Sequence, residues 1–152
     1  EFGKSNGRKM LTIAYGIYRD KDRSDNDYQV LLQYDTRNWS KFEAPLSQEN
    51  MHRNGPAKPE SYYFVFTGNT SYGVQNLEYD AESNLWFMAV YKGKKEQFAN
   101  FSTFVVDGSK APRKEWLRGV EYLKKGKVLS LLEKDKDLTK DEKKILDKVC
   151  GK

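Results

Sequence analysis

The chain is 152 residues long, enough for one domain with its own core, and 38% of it is hydrophobic while aromatic residues reach 14%. Ten Tyr, eight Phe and three Trp fill with large rings a core that the few aliphatics would leave hollow, which argues against disorder. The net charge of +5 is uneven: residues 1–108 carry 13 Lys and Arg against 14 Asp and Glu, whereas residues 109–152 carry 14 against 8.

Residues 1–8 (EFGKSNGR) are polar and Gly-rich and are expected to fray or to be a cloning remnant. The chain begins Glu-Phe, so it reads as a piece of a longer protein or as one that has lost a leader. The β domain is expected over residues 9–132. Lys9 to Tyr18 reads as a strand, Arg19 to Asp27 as a charged loop, and Tyr28 to Asp35 as a second strand. After a turn at Thr36 to Asn38, Trp39 to Ala44 is expected to be a third. Ser47 to Ser61 is a long polar loop holding the only histidine, His52.

The organising stretch is Tyr62 to Lys95. YYFVF is rich in aromatic and β-branched residues and ends at Thr67-Gly68. GVQNLEYD alternates, with Val74, Asn76, Glu78 and Asp80 on one face and Gln75, Leu77 and Tyr79 on the other. A polar turn, AESN, leads into LWFMAVY, which is apolar on both faces and so expects neighbours above and below. Three consecutive antiparallel strands follow from this pattern. Phe101 to Asp107 is a further strand, Lys110 to Arg118 is ambiguous, and Val120 to Leu132 reads as two short strands around Lys124 to Gly126. Residues 133–152 form a basic tail. There Thr139 and Glu142 match a capping box, and Ile145, Leu146 and Val149 give a short C-terminal helix an apolar stripe.

Leu32-Gln-Tyr-Asp35 returns as Leu77-Glu-Tyr-Asp80 after 45 residues, each followed by Asn and Trp. A spacing of about 45 residues with about four strands is that of a β-propeller blade. The expected fold is therefore mainly β: antiparallel, blade-like sheets of a partial β-propeller with a short C-terminal helix. The alternative is a single β-sandwich or barrel. GVQNLEYDAESNLWFMAVY resembles the blades of regucalcin-like lactonases and related six-bladed propellers, over about residues 9 to 108. The resemblance implies a metal ligand at Asn76, with calcium as the cofactor. Because propellers close with four to eight blades, it also implies a longer chain or assembled copies, and open strand edges invite self-association.

The candidate sites are few. Asp20, Asp22, Asp25 and Asp27 cluster carboxylates on one loop and invite calcium, but the EF-hand pattern fails, with Asp25 where Gly is needed and Leu31 where Glu is needed. Arg19, Lys21 and Arg23 would neutralise that loop, which favours a solvated turn. No nucleophile elbow accompanies His52. At a propeller mouth, His52, Asn69, Gln75, Asn76 and Glu78 would be the ligand-binding candidates. With one histidine and one cysteine, Cys150, neither a Cys/His zinc site nor an internal disulfide can form.

The expected function is a non-catalytic binding or scaffold module for a protein or small-molecule ligand. The alternative is a metal-assisted, lactonase-like hydrolase with its site at a propeller mouth. Nucleic acid is expected only at the basic tail, and no apolar run approaches the roughly 20 residues of a membrane span.

Overall fold

The computed structural model describes residues 1–5, 7–15, 27–49, 51, 54–68, 70–118 and 125–132. The expected C-terminal helix lies outside the described residues, as do His52, Asn69, Asp20, Asp22, Asp25 and Cys150.

Among the described residues nine strands form two sheets. The larger has six strands: β1 (Phe2–Ser5), β2 (Arg8–Tyr15), β3 (Tyr28–Asp35), β4 (Ser61–Phe66), β8 (Arg113–Trp116) and β9 (Lys125–Val128), in the order β1-β2-β3-β4-β9-β8. The smaller is β5 (Thr70–Asp80), β6 (Leu85–Lys92) and β7 (Thr103–Asp107), in chain order. The body is mainly β and antiparallel, as composition and alternation predict. One pairing departs from this: β4 meets β9 in parallel at Phe64 and Val128.

The sheets pack face to face. Leu31 and Val65 of the large sheet close on Trp86, Met88 and Val106 of the small one, and Met88 and Val65 are wholly buried. LWFMAVY is the centre of its own sheet, with Trp86, Met88 and Val90 buried. The cover expected on both faces is found on one: among the described residues only the large sheet packs on it, and on the other side Phe87 and Ala89 are partly buried and Tyr91 is exposed. Burying Trp86, Met88 or Val90 is worth about 1.5–3 kcal/mol each.

Several expected elements are placed differently, each for a local reason. YYFVF and GVQNLEYD do not form a hairpin. Thr67 and Gly68 both donate their N–H groups to the Asp27 carbonyl, and the chain crosses there from the large sheet to the small one. A buried polar bridge holds the crossing: Gln29 Nε2 donates to Thr67 Oγ1 (3.1 Å) and Thr70 Oγ1 (2.7 Å). Trp39 to Ala44 is not a strand; Trp39–Phe42 is a 3-10 turn. Both edges of β3 are already taken by β2 and β4, so the chain leaving Asp35 cannot fold back to pair with the strand it has just left. Phe2–Ser5, expected to fray, is an edge strand, because Gly3 lies flat against the Trp86 indole: a Cβ there would sit 2.6 Å from the ring. Gly126 is no turn but the interior of β9, pressed against Phe64 and Leu117, while residues 119–124 before it lie outside the described residues.

The two LxYD stretches occupy different places, one in an interior strand of the large sheet and the other in the edge strand of the small one. What they share is the stop that ends them. Asp35 accepts the Arg37 N–H (3.0 Å) and Asp80 the Glu82 N–H (3.1 Å), and Asp107 ends β7 the same way on the Ser109 N–H (2.9 Å). Each is an Asx turn, in which the side chain mimics a backbone acceptor.

The Gln29 bridge gives a direct test. Gln29→Leu keeps the volume but takes the donor away from two buried hydroxyls, a loss of about 1–3 kcal/mol. Chemical denaturation should show that drop, whereas Gln33→Leu, whose single bond to Thr12 is long at 3.3 Å, should cost less.

Candidate functional site

Of the expected site residues, the structure brings together those on β5 and sets them on its outer surface. A bulge between Val74 and Asn76 resets the alternation. Val74 therefore joins Leu77 and Tyr79 against the core, and Gln75 and Asn76 are both exposed. This corrects the expectation that Val74 shares a face with Asn76 and Glu78. Asn76 stands opposite Ala89 and Glu78 opposite Phe87, so neither has a carboxylate or imidazole across the ladder. Asp27, the described member of the acidic loop, is held by the Lys95 ammonium. Among the described residues no three His, Cys, Asp or Glu side chains approach closely enough to hold one metal ion.

The enclosed space lies elsewhere, between the sheets. A cavity of about 420 Å³ is floored by Leu31, Gln33 and Tyr63 of the large sheet and roofed by Trp86 and Val106 of the small one. Thr12 also lines it, with its hydroxyl accepting from Gln33 Nε2. Lys4, Asn84, residues 108–112 and Leu129 complete the lining. These residues meet for reasons of register. Thr12 pairs with Gln33 and Leu31 with Tyr63, so all four point inward. Trp86 is held from two sides, by Gly3 and by the Tyr79 ring at 4.5 Å between centroids. The Tyr79 hydroxyl donates to Asn84 Oδ1 (2.9 Å), and Asn84 takes a left-handed φ of 56° that turns β5 into β6. The lining mixes apolar side chains with polar and cationic ones, and a concavity of this size can take a small molecule that has groups of both kinds.

A larger depression, about 850 Å³, lies beside β8 and β9 and includes Tyr28, Phe66 and Leu117. Its Arg113 and Glu115 pair with each other (2.9 Å).

Sequence reasoning misses the cavity residues. The inward face of β3 reads Gln29, Leu31, Gln33, whereas the more apolar set Val30, Leu32 and Tyr34 faces out, so alternation points the wrong face at the core. Two glutamines on one strand, each facing a threonine, are the only signal available.

The carboxylates near the strand ends are set by their turns. Burial pushes Asp107 up, but the hydrogen bonds from the Ser109 side chain and backbone and from Lys110 outweigh it and hold the group below the usual range. Asp35 is lowered to about 2, first by the Arg37 guanidinium and then by the Arg37 N–H. Asp80 is lowered by Ser83 and the Glu82 N–H.

Comparison with family models, with curated proteins and with solved structures finds no match.

The lowered carboxylates fix a pH dependence. Their folded pKa values lie below the unfolded ones, so the stability they add is complete above about pH 4 and is lost as pH falls through the folded values. The melting temperature should therefore hold from pH 7 to about 4 and drop toward pH 2. Arg37→Ala should raise Asp35 toward the ordinary range, with the residue-37 N–H and Arg8 still acting on it, so the melting temperature should be lower near pH 7 and the drop toward pH 2 shallower, which a thermal scan in steps of pH would reveal.

Proposed function

We propose that the chain is a non-catalytic binding module that takes a small ligand with both apolar and polar groups between its two sheets. The observation that carries this reading is the cavity between Leu31 and Trp86, with Gln33 and Thr12 as its buried polar groups. Its size accommodates a compact molecule of one to three rings. Trp86 and Tyr63 offer flat apolar contact, and the amide of Gln33 offers both a donor and an acceptor to one hydroxyl, carbonyl or carboxylate. Gln33 and Thr12 orient a ligand by neutral hydrogen bonds, and Lys4 and Lys110 at the lining offer positive charge to an anionic group, an assembly that favours binding over reaction. The metal-assisted hydrolase reading would need ligands beyond the described residues, since Asn76 and Glu78 stand on the exposed side of β5.

The experiment is a titration with anilinonaphthalene sulfonate, whose emission rises on leaving water. A saturable rise with one site per chain is expected, with quenching of indole emission from Trp86. Val106→Phe narrows the cavity from the small sheet and Leu31→Phe narrows it from the large one. Each should weaken binding at least tenfold while circular dichroism shows the β fold intact. Trp116→Ala, a change on an exposed ring far along the large sheet, should leave binding unchanged. Equal binding by both filled variants, or no binding by the unaltered chain, would overturn the reading.

A further inference from the structure

The large sheet has a second concentration of chemistry, independent of the cavity, on the β8–β9 pair at its edge. Lys114 and Trp116 lie on one face of β8, and Lys125 and Lys127 on the same face of β9. The register sets Lys114 directly across from Lys127 and Trp116 directly across from Lys125. Trp116 is 63% exposed, unusual for an indole, and the Lys125 ammonium stands 4.6 Å from its ring centre. Lys127 reaches toward the Tyr63 ring (5.7 Å) and its ammonium is 3.5 Å from Ser61 Oγ.

Among the described residues these three lysines make no ion pair, and the described carboxylate of the two strands, Glu115, is on the opposite face with Arg113. Three like charges within two short paired strands repel one another, and cross-strand like pairs destabilise a ladder. The rings of Trp116 and Tyr63 give Lys125 and Lys127 cation–π contacts, which do not neutralise their charge. An anionic partner would relieve the repulsion.

We propose that this face binds single-stranded nucleic acid. The three ammonium groups would neutralise successive phosphates, and the exposed Trp116 ring would stack a base. Lysines two residues apart on a strand repeat at about 6.6 Å, a spacing that an extended phosphodiester chain can follow. Sheets that bind single strands join a cationic track to an aromatic platform, because every base has a π face and no sequence need be read. A duplex is a poorer fit, since the major groove admits a free two-stranded ribbon, whereas β9 is also bonded to β4 and the pair is part of a sheet. A lipid surface is also poorer, because among the described residues Trp116 is the one exposed large apolar side chain on this face of β8 and β9.

The test uses the full chain and a fluorescein-labelled decathymidylate, followed by anisotropy from 50 to 300 mM salt. Three phosphate contacts predict that replacing Lys114, Lys125 and Lys127 by Gln reduces the slope of log affinity against log salt by about 2, or about 0.7 per lysine. Trp116→Ala should weaken binding about tenfold with the slope unchanged, and Trp116→Phe should recover most of that loss. The substituted side chains are exposed, and circular dichroism verifies that each variant keeps the fold. Binding that ignores both the triple substitution and Trp116→Ala would assign the affinity to the basic residues 133–152 and overturn the proposal. Absence of binding at 50 mM salt would overturn it too. Preference for dextran sulfate or for phosphatidylserine vesicles over the oligonucleotide would overturn it in favour of that partner.

Discussion

Met88 has no exposed surface, and neither has Val65 on the sheet opposite. The contact of their two strands is where the fold is decided, because each sheet alone would leave one face of apolar side chains in water. Packing β6 onto β3 and β4 settles the parity of every neighbouring strand, since a slip of one residue would exchange its inner and outer sets. Thr12, Gln33 and Tyr63 face the interior as a consequence of that choice. The cavity is thus a by-product of register: side chains that fail to fill the gap between sheets leave room beside Trp86.

The chain stitches the two layers together at both ends of this contact. At one, Gln29 ties Thr67 and Thr70 across the passage from β4 to β5. At the other, the residues after β9 change partners within four positions. The Leu129 N–H donates to Phe64 of the large sheet, whereas the Leu132 N–H donates to Val105 of the small one, and the Ser130 carbonyl accepts from Asp107. Residues 129–132 therefore carry hydrogen bonds to both layers. Because the large sheet has six strands and the small one three, the β8–β9 pair extends past the small sheet's cover, which leaves Trp116 and its lysines in solvent.

Much of the fold is legible in the sequence where a local pattern is strong. YQVLLQYD, SYYFVF and LWFMAVY declare themselves as strands through β-branched and aromatic content, and Asp80 with AESN declares the hairpin that follows. Partner choice is not legible, because whether Thr67-Gly68 closes a hairpin or carries the chain to another sheet depends on Asp27 and Gln29, some 40 residues away. Trp39 to Ala44 has strand-like composition but follows a strand already paired on both sides, a fact of tertiary arrangement alone. RKEW and KGKV carry almost no apolar signal, yet they pair, since Val128 and Gly126 fit against Phe64. The site suffers from the same limit. Asn76 and Glu78 look functional on a strict alternation, but they stand on the opposite face from the core-facing Leu77 and Tyr79 and so on the outside. The inserted residue in β5 moves only Val74 off their face, while the glutamines that line the interior look like surface residues.

That inserted residue has a bearing on how the protein behaves in company. β5 is the longest strand, 11 residues, and it is an outer strand of its sheet, hydrogen-bonded on one side to β6. A long regular edge of this kind is a template on which a second chain can lay down a strand of its own. The irregular register between Thr70 and Asn76 breaks the even row of amides and carbonyls such an addition would need, and Glu78 and Asp80 place charge along the remainder. The feature that misdirects a reading of the face is thus also a guard against fibrous self-assembly.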